Sequence, residues 1–247
     1  MAASNRKASF LATMVWEGGS ALSLNPRDPG NWTGNRIGAG KLVGTKWGVA
    51  AGSHPTLDIP NLTEDQAEAI FATGYWNPVD GDRLPIGLDH CVSDDSFNAG
   101  PGNARKLMAR VGVNDNSDPI QAIKDFSGAR LSFLRSLSSW ANFGVGWARR
   151  VGGVEAESLR MAMGAQGIPQ AQQNATINAH VDTINKTIVK HTTGAAVTIP
   201  ATGTAAVTNL GGTATAIIVA IGAIIFIGFI AYIVVNQARA QGLMGKK

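Results

Sequence analysis

The sequence predicts a mainly helical N-terminal domain with a small irregular or hairpin region, followed by one membrane-spanning helix. Three observations predict it. Residues 1 to about 160 alternate helix-like patterns with Gly/Pro/Asn-rich loops and show no convincing run of alternating strands. Acidic residues then all but vanish: of 17, only Asp182 lies beyond Glu157. Finally, Ala214 to Val235 contains no charged residue.

The first helix is expected from near Ser4 to the glycine pair Gly18-Gly19, since paired glycines end helices readily. A second begins at Thr63, where Gln66 completes a capping box and Glu64 and Asp65 suit the positive helix end, and it runs to about Trp76. A third follows Pro101-Gly102, with Asn103 as cap, through Val111. The fourth starts at Asp118-Pro119, with proline in the first turn, and continues to about Ser138. Ile120, Ile123, Leu131 and Leu134 supply its apolar face. Pro26 to Pro60 is the least regular stretch, a small hairpin or a loop lining a cleft.

These readings divide the chain into a globular domain (1–163), a flexible polar linker (164–213), a transmembrane helix (214–235) and a short basic tail (236–247). The linker is rich in Ala, Thr, Asn, Gln and Gly, lacks aromatic residues, and has room for a helical piece around Ile177 to Lys190. As a helix, Ala214–Val235 spans about 33 Å, enough for the hydrocarbon core of a bilayer, and Tyr232 suits an interfacial anchor. A domain of this size cannot easily surround so long an apolar helix, which disfavours a buried core helix. Arg239, Lys246 and Lys247 follow the span, whereas 194–213 carry no charge, so the positive-inside bias points the tail to the cytoplasm and the domain outward. Near the N-terminus, Glu17 interrupts the run Phe10–Trp16 before an h-region of normal length forms, so no cleavable signal peptide is expected. The single cysteine, Cys91, excludes an internal disulfide framework.

Glu17 is the first candidate for chemistry. Phe10, Met14 and Glu17 are spaced four and three apart, placing a carboxylate on an apolar helix face in the last turn. Apolar surroundings and the negative helix end both disfavour the anion and would raise its pKa, which a glycosidase general acid needs. A solvated glutamate at a frayed helix end is the alternative.

An ordered set of motifs accompanies it: Glu17-Gly18-Gly19, Asn25-Pro26-Arg27-Asp28-Pro29-Gly30, Gly44-Thr45-Lys46-Trp47-Gly48, Tyr75-Trp76, Asp94 with Asn98 and Gly100, and Gly146-Trp147-Ala148-Arg149-Arg150-Val151. Over about residues 6 to 160 this set resembles glycoside hydrolase family 108, phage and bacterial lysozymes with an EGG motif. The resemblance implies a lysozyme-like fold and hydrolysis of the glycan strand of peptidoglycan between N-acetylmuramic acid and N-acetylglucosamine. A lytic transglycosylase is the alternative reaction. The resemblance implies Glu17 as the catalytic acid, with Asp28 and Thr45 opposite it to position water or steady positive charge on the sugar. For Asp94-Asp95, which could otherwise bind a cation, the resemblance and nearby Asn98 favour a structural hydrogen-bonding role. Asp94 is the next carboxylate to test should Asp28 and Thr45 both fail. Ser20 stands where an aromatic residue commonly follows EGG, and an insertion, Asn31 to Val43, separates Asp28 from Thr45.

Trp47, Trp76 and Asn98 complete the expected site as substrate-binding residues. Trp16 is a further candidate to stack on sugar, while Trp147 reads as core. The run GNRIGAGKL is not a phosphate loop, because Asn35 stands where its first Gly should be and Leu42 follows Lys41. His54, His90, His180 and His191 lack metal-ligand spacing and read as surface or locally bonded, so no metal or cofactor is expected. The expected partners are peptidoglycan, a lipid membrane through 214–235 and other virion proteins, without nucleic acid. The catalytic domain is expected on the peptidoglycan side of the membrane, carried there in a virion for genome entry. The second route is a lysis enzyme of the host cell envelope, exported by its own anchor. A non-catalytic glycan-binding assembly protein is the rival from another class.

Overall fold

The computed structural model describes residues 5–189 of the chain; the side chains of residues 180 and 182–189 are not among those described. The expected transmembrane helix (214–235), the basic tail and residues 190–213 of the expected linker lie outside these residues. Among the described residues no helix is long and apolar enough to cross a membrane.

Two compact units result. Within the described residues, one comprises 5–15 and 68–189, the other 16–67. The larger unit is helical: α1 (Arg6–Met14), α3 (Leu88–Ala99), α4 (Pro101–Val111), α5 (Pro119–Arg135), α6 (Trp140–Ala165) and α7 (Gln170–Val189). Helix α2 (Glu64–Phe71) leads into it and continues as a π-helical turn, Ala72–Trp76. The capping box forms in both directions: Gln66 N–H donates to Thr63 Oγ1 (3.3 Å), and Thr63 N–H donates to Gln66 Oε1 (2.9 Å). Asp118 caps α5 by accepting from Gln121 N–H at 2.8 Å.

Helix α3 is the axis of this unit. Every residue from Leu88 to Ala99 is buried, and α1, α4, α5 and α6 all pack against it. Its sequence, LDHCVSDDSFNA, has no apolar stripe, because polar groups are buried on all sides, with Asp89 bonded to Asn5 and Asp94, Asp95 and Asn98 to side chains of neighbouring helices. That is why no helix was expected there. Helix α6 escaped for another reason: Gly144, Gly146, Gly152, Gly153 and Gly164 weaken its local propensity, and tertiary packing overrides them. The expected linker also begins as ordered structure. Helix α6 runs to Ala165, and α7 packs on α6 with Ile177 and Val181 buried, so the helical piece starts at Gln170 and is longer than expected.

The apolar core of the unit gathers Phe10, Phe71, Trp76 and Phe97. Phe71 lies 5.7 Å from Phe10, 6.4 Å from Trp76 and 6.1 Å from Phe97, between ring centroids. Gly87 sets how closely α6 approaches: a Cβ there would collide with the carbonyl of Ser158 and the side chain of Ala162.

A charged cluster sits beside this apolar core. Arg130 on α5 donates from Nη1 to Asp94 Oδ2 at 2.8 Å and from Nη2 to Asn98 Oδ1 at 3.3 Å. Arg150 on α6 grips the same Asp94 with two nitrogens, Nη2 to Oδ1 at 2.9 Å and Nε to Oδ2 at 3.2 Å. Arg130 Nε also stands 2.9 Å from Asp95 Oδ1, an ion contact whose N–H does not point along it as a hydrogen bond. Asn103 Nδ2 completes Asp95 at 3.2 Å. Burial alone would lift Asp94, but Arg150 and Arg130 overcome it and hold its pKa well below the usual carboxylate range. Asp95 shifts the other way, since its burial outweighs the attraction of Arg130. Removing one member of such a buried set strands the opposite charge, at about 3–5 kcal/mol.

A second buried carboxylate joins α1 to α3. Asp89 Oδ1 accepts from Asn5 Nδ2 (2.9 Å), Gly87 N–H (2.8 Å) and His90 N–H (2.6 Å), while Oδ2 is buried without a partner. Burial pushes its pKa up to about 7, against the opposing pull of those hydrogen bonds. A carboxyl raised from 3.8 keeps its proton in the folded chain and loses it on unfolding between those values, so stability falls as pH rises toward 7. Denaturant titrations between about pH 5 and about pH 8 should therefore show wild-type stability declining, by on the order of 1 kcal/mol per pH unit at most. Asp89→Asn should flatten that decline; an unchanged slope would remove Asp89 as its source.

Candidate active site

The EGG segment opens the smaller unit. Helix α1 ends at Met14, earlier than expected, and a 3₁₀ turn, Val15–Glu17, carries the chain on. Glu17 is therefore the last residue of a tightened helix end, half-exposed, and it is held by an interaction of its own. Gly18 and Gly19 follow with φ of +83° and +61°, left-handed values that a side chain would strain although the space around both is open. The glycine pair is thus needed for its backbone, which turns the chain sharply just after the carboxylate.

From there the chain reaches a small hairpin, β1 (Thr45–Lys46) and β2 (Val49–Ala50), antiparallel with Thr45 opposite Ala50 and Lys46 opposite Val49. Its two turn residues, Trp47 and Gly48, have φ of +54° and +68°, the sign pattern of a type I′ turn. Trp47 N–H donates to Gly19 O at 3.0 Å, so the turn after Glu17 and the tip of the hairpin are joined directly. Ser23 and Thr45 exchange backbone hydrogen bonds at 2.9 and 3.0 Å, which lays the strand after the EGG turn alongside β1.

Asn31 ties the remaining candidates together. It is fully buried and lies at the end of a 3₁₀ turn, Pro29–Asn31. Asp28 caps that turn, accepting from Gly30 N–H at 2.8 Å. Asn31 Oδ1 accepts the Thr45 hydroxyl at 2.6 Å, its Nδ2 donates to Asn25 O at 3.0 Å, and its carbonyl accepts from both Val43 and Gly44 N–H. The insertion is thereby closed at its base: Asp28 and Thr45, separated by 31–43 in sequence, share Asn31 in space. Nothing in the spacing marked Asn31 out, since it stood as the first residue of the insertion. Burial raises the Asp28 pKa above 3.8, opposed by the Gly30 hydrogen bond. Thr45 is half-exposed, and its oxygen keeps lone pairs that can accept from water.

Trp47 is half-exposed beside Gly19, a place from which a ring can meet a ligand. Two other substrate-binding expectations are corrected. Trp76 is fully buried in the larger unit with Nε1 donating to Asp82 Oδ1 at 2.8 Å, so its ring is core and cannot stack on a sugar. Asn98 is buried on α3 and its Oδ1 accepts from Arg130, which makes it part of the charged cluster. Asp94, the reserve carboxylate, is buried and clamped by two arginines and has no free face for substrate. His90 is likewise buried, not on the surface, and burial lowers its pKa against the pull of Asp94 and Glu157. Trp147 is core, packed 6.2 Å from Trp140 and 5.8 Å from Phe143. Among the described residues no group of three or more His, Cys, Asp or Glu side chains comes together as a metal site.

Comparison with known proteins gives a match over part of the chain. Residues 10–100 match the family model for glycosyl hydrolase 108, a stretch that contains Glu17, Asp28, Asn31, Thr45 and Trp47. Among solved structures, that of Brucella abortus SagA matches with 26% sequence identity and a TM-score of 0.48, over 63% of this chain and 97% of that one. No curated protein matches the chain.

The hydrogen bonds of Asn31 generate a direct test. Asn31→Ala removes the partner of the Thr45 hydroxyl and of Asn25 O, and a buried polar group left unsatisfied costs about 1–3 kcal/mol. Amide hydrogen exchange at Gly44, Thr45 and Trp47 should speed up in that variant, and less so in Thr45→Val. Unchanged protection at all three would show that Asn31 does not hold the hairpin.

Proposed function

We propose that the chain is a muramidase that hydrolyses the glycan strand of bacterial peptidoglycan with Glu17 as general acid. The match over residues 10–100 supports a glycosidase of this kind. The observation that carries the assignment of Glu17 is its placement. It ends a tightened helix turn, is half-exposed, and is followed by two left-handed glycines whose backbone is pinned to Trp47. A carboxyl fixed there can donate a proton to a glycosidic oxygen while the sugar approaches over the open glycine turn. Thr45 and Asp28, held through Asn31, serve as the water-positioning and charge-stabilising groups, and Trp47 as the platform for a sugar ring.

Glu17→Gln keeps the shape of the side chain and removes its proton. Incubated with purified peptidoglycan, this variant should release sugars about 10²–10⁴-fold more slowly than wild type. Mass analysis of the wild-type products identifies the reaction: reducing muramic acid ends mean hydrolysis, and anhydro-sugars mean transglycosylation. Digestion by Glu17→Gln at the wild-type rate would defeat the assignment. A second reading, glycan binding without cleavage, is favoured by the structural use to which Asp28 Oδ1 and the Thr45 hydroxyl are put; binding without release of sugars by the wild type would establish it.

The location proposed follows from the sequence of the C-terminal part. Ala214–Val235 serves as a single membrane anchor with residues 236–247 on the cytoplasmic side, and the domain faces peptidoglycan. Delivery within a phage particle, for local wall opening during genome delivery or for host lysis, places a folded domain outside the membrane. Protease added to intact spheroplasts should remove the N-terminal domain and spare a C-terminal tag. Full protection of the domain would reverse the orientation.

A further inference from the structure

The hairpin at 31–43 is the element that the catalytic reading leaves without a task. It is firmly built. Thr33 N–H donates to Lys41 O at 2.9 Å, Lys41 N–H returns to Thr33 Oγ1 at 2.9 Å, Gly34 N–H reaches Ala39 O at 3.0 Å, and Ala39 N–H reaches Arg36 O at 2.9 Å. Trp32, bridged to Leu42 across its base, is fastened by Nε1 to Pro26 O at 2.9 Å. At the tip of this ladder Arg36, Ile37 and Gly38 are all exposed, with Ile37 at 57%.

A ladder that holds an isoleucine outward keeps apolar area in water that a collapsed loop would hide. The same holds across the unit. Of the seven large hydrophobic side chains exposed among the described residues, five lie between Leu22 and Leu57, and Leu24 is half in solvent. Charge adds to this locally: from Asn31 to Thr45 the chain has two cations, Arg36 and Lys41, and no acid, whereas residues 16–67 as a whole carry five acids against four cations. Arg36 and Lys41 are exposed neighbours of Ile37 and Leu42, and no described acidic side chain pairs with either.

We propose that the 31–43 hairpin is a membrane-contact element, with Ile37 entering the acyl boundary of an anionic bilayer while Arg36 and Lys41 bind lipid phosphates. Cations interleaved with exposed aliphatic side chains are the chemistry of an interfacial anchor. A sugar polymer would be gripped by aromatic rings, which the tip lacks. A second copy meeting it tip to tip would set Arg36 and Lys41 against the same two cations and be repelled. The uncharged run at 214–235 gives the chain a second, independent reason to lie beside lipid. The inference stands apart from glycan cleavage, since Arg36, Ile37 and Lys41 are given no part in it.

The test uses the full-length chain with Ile37→Cys, labelled with an environment-sensitive fluorophore and reconstituted into vesicles of phosphatidylglycerol or of phosphatidylcholine. Cys91 does not compete for label, being buried with its thiol pushed up to about 12. Residues 214–235 are present in both preparations, so the difference between the two lipids is what reports the hairpin. Its emission should shift to the blue in phosphatidylglycerol and stay as in buffer with phosphatidylcholine. Adding Arg36→Glu and Lys41→Glu should abolish the shift, the loss of two cations weakening contact roughly 25-fold or more. No shift, an equal shift in both lipids, or a shift that survives both charge reversals would overturn the proposal. So would the same shift with soluble dextran sulfate, which would make the hairpin a polyanion site.

Discussion

The larger unit depends on one carboxylate. Asp94 sits on the central helix and receives two arginines, one from α5 and one from α6, so three helices are fixed to each other through four oxygen–nitrogen contacts of a single aspartate and its neighbour. A buried ion set of this kind adds little to net stability compared with a packed apolar core. Its effect is on geometry. Helices that meet only through aliphatic side chains can slide by a turn with modest loss, whereas a two-nitrogen grip of Arg150 on Asp94 is satisfied in one register. The rest follows from that register: the close approach of α6 to Gly87, the burial of Asp89 beneath α1, and the aromatic cluster around Phe71.

This cluster also explains where the sequence was readable. Helices α2, α4 and α5 obey local rules, with a capping box at Thr63 or a proline in the first turn, and they lie close to where those rules put them. Helix α3 obeys none. Asp89, His90, Asp94 and Asp95 look like solvent-facing residues, and the partners that make their burial tolerable come from residues 5, 130 and 150. No window of ordinary length contains both halves of such an arrangement. The pairing of an Asp at 94 with an Arg at 150 was present in the sequence only as two separate motif fragments.

The smaller unit shows the reverse. Its irregular composition offered little to read beyond a possible hairpin, yet the residues singled out there, Glu17, Asp28, Thr45 and Trp47, all lie in it: Asp28 and Thr45 both bond Asn31, and Trp47 N–H bonds Gly19 O, two residues after Glu17. The residue that joins Asp28 to Thr45, Asn31, was invisible because an asparagine beside glycine and proline is ordinary loop chemistry. Trp76 and Asn98 were misplaced for a related reason. They belong to motifs in the same ordered series as Glu17, and proximity within a series does not distinguish a residue that touches substrate from one that supports the fold. Burial distinguishes them.

The larger unit is also discontinuous in the chain, and this bears on the order in which the protein can assemble during synthesis. Its first segment, residues 5–15, leaves the ribosome before any of the smaller unit, but the groups that receive it come much later. Asn5 is bonded to Asp89 and lies 3.6 Å from the sulfur of Met161. Residues 16–67 can close on themselves in the meantime, since the bonds of Gly19, Ser23 and Asn31 all fall within that stretch. Helix α1 must wait, with Phe10 and Met14 uncovered, until Phe71 and α3 have emerged. A nascent chain of this design carries a finished EGG loop directly after an apolar helix that has not yet found its seat, so the smaller unit takes shape early and the larger one late.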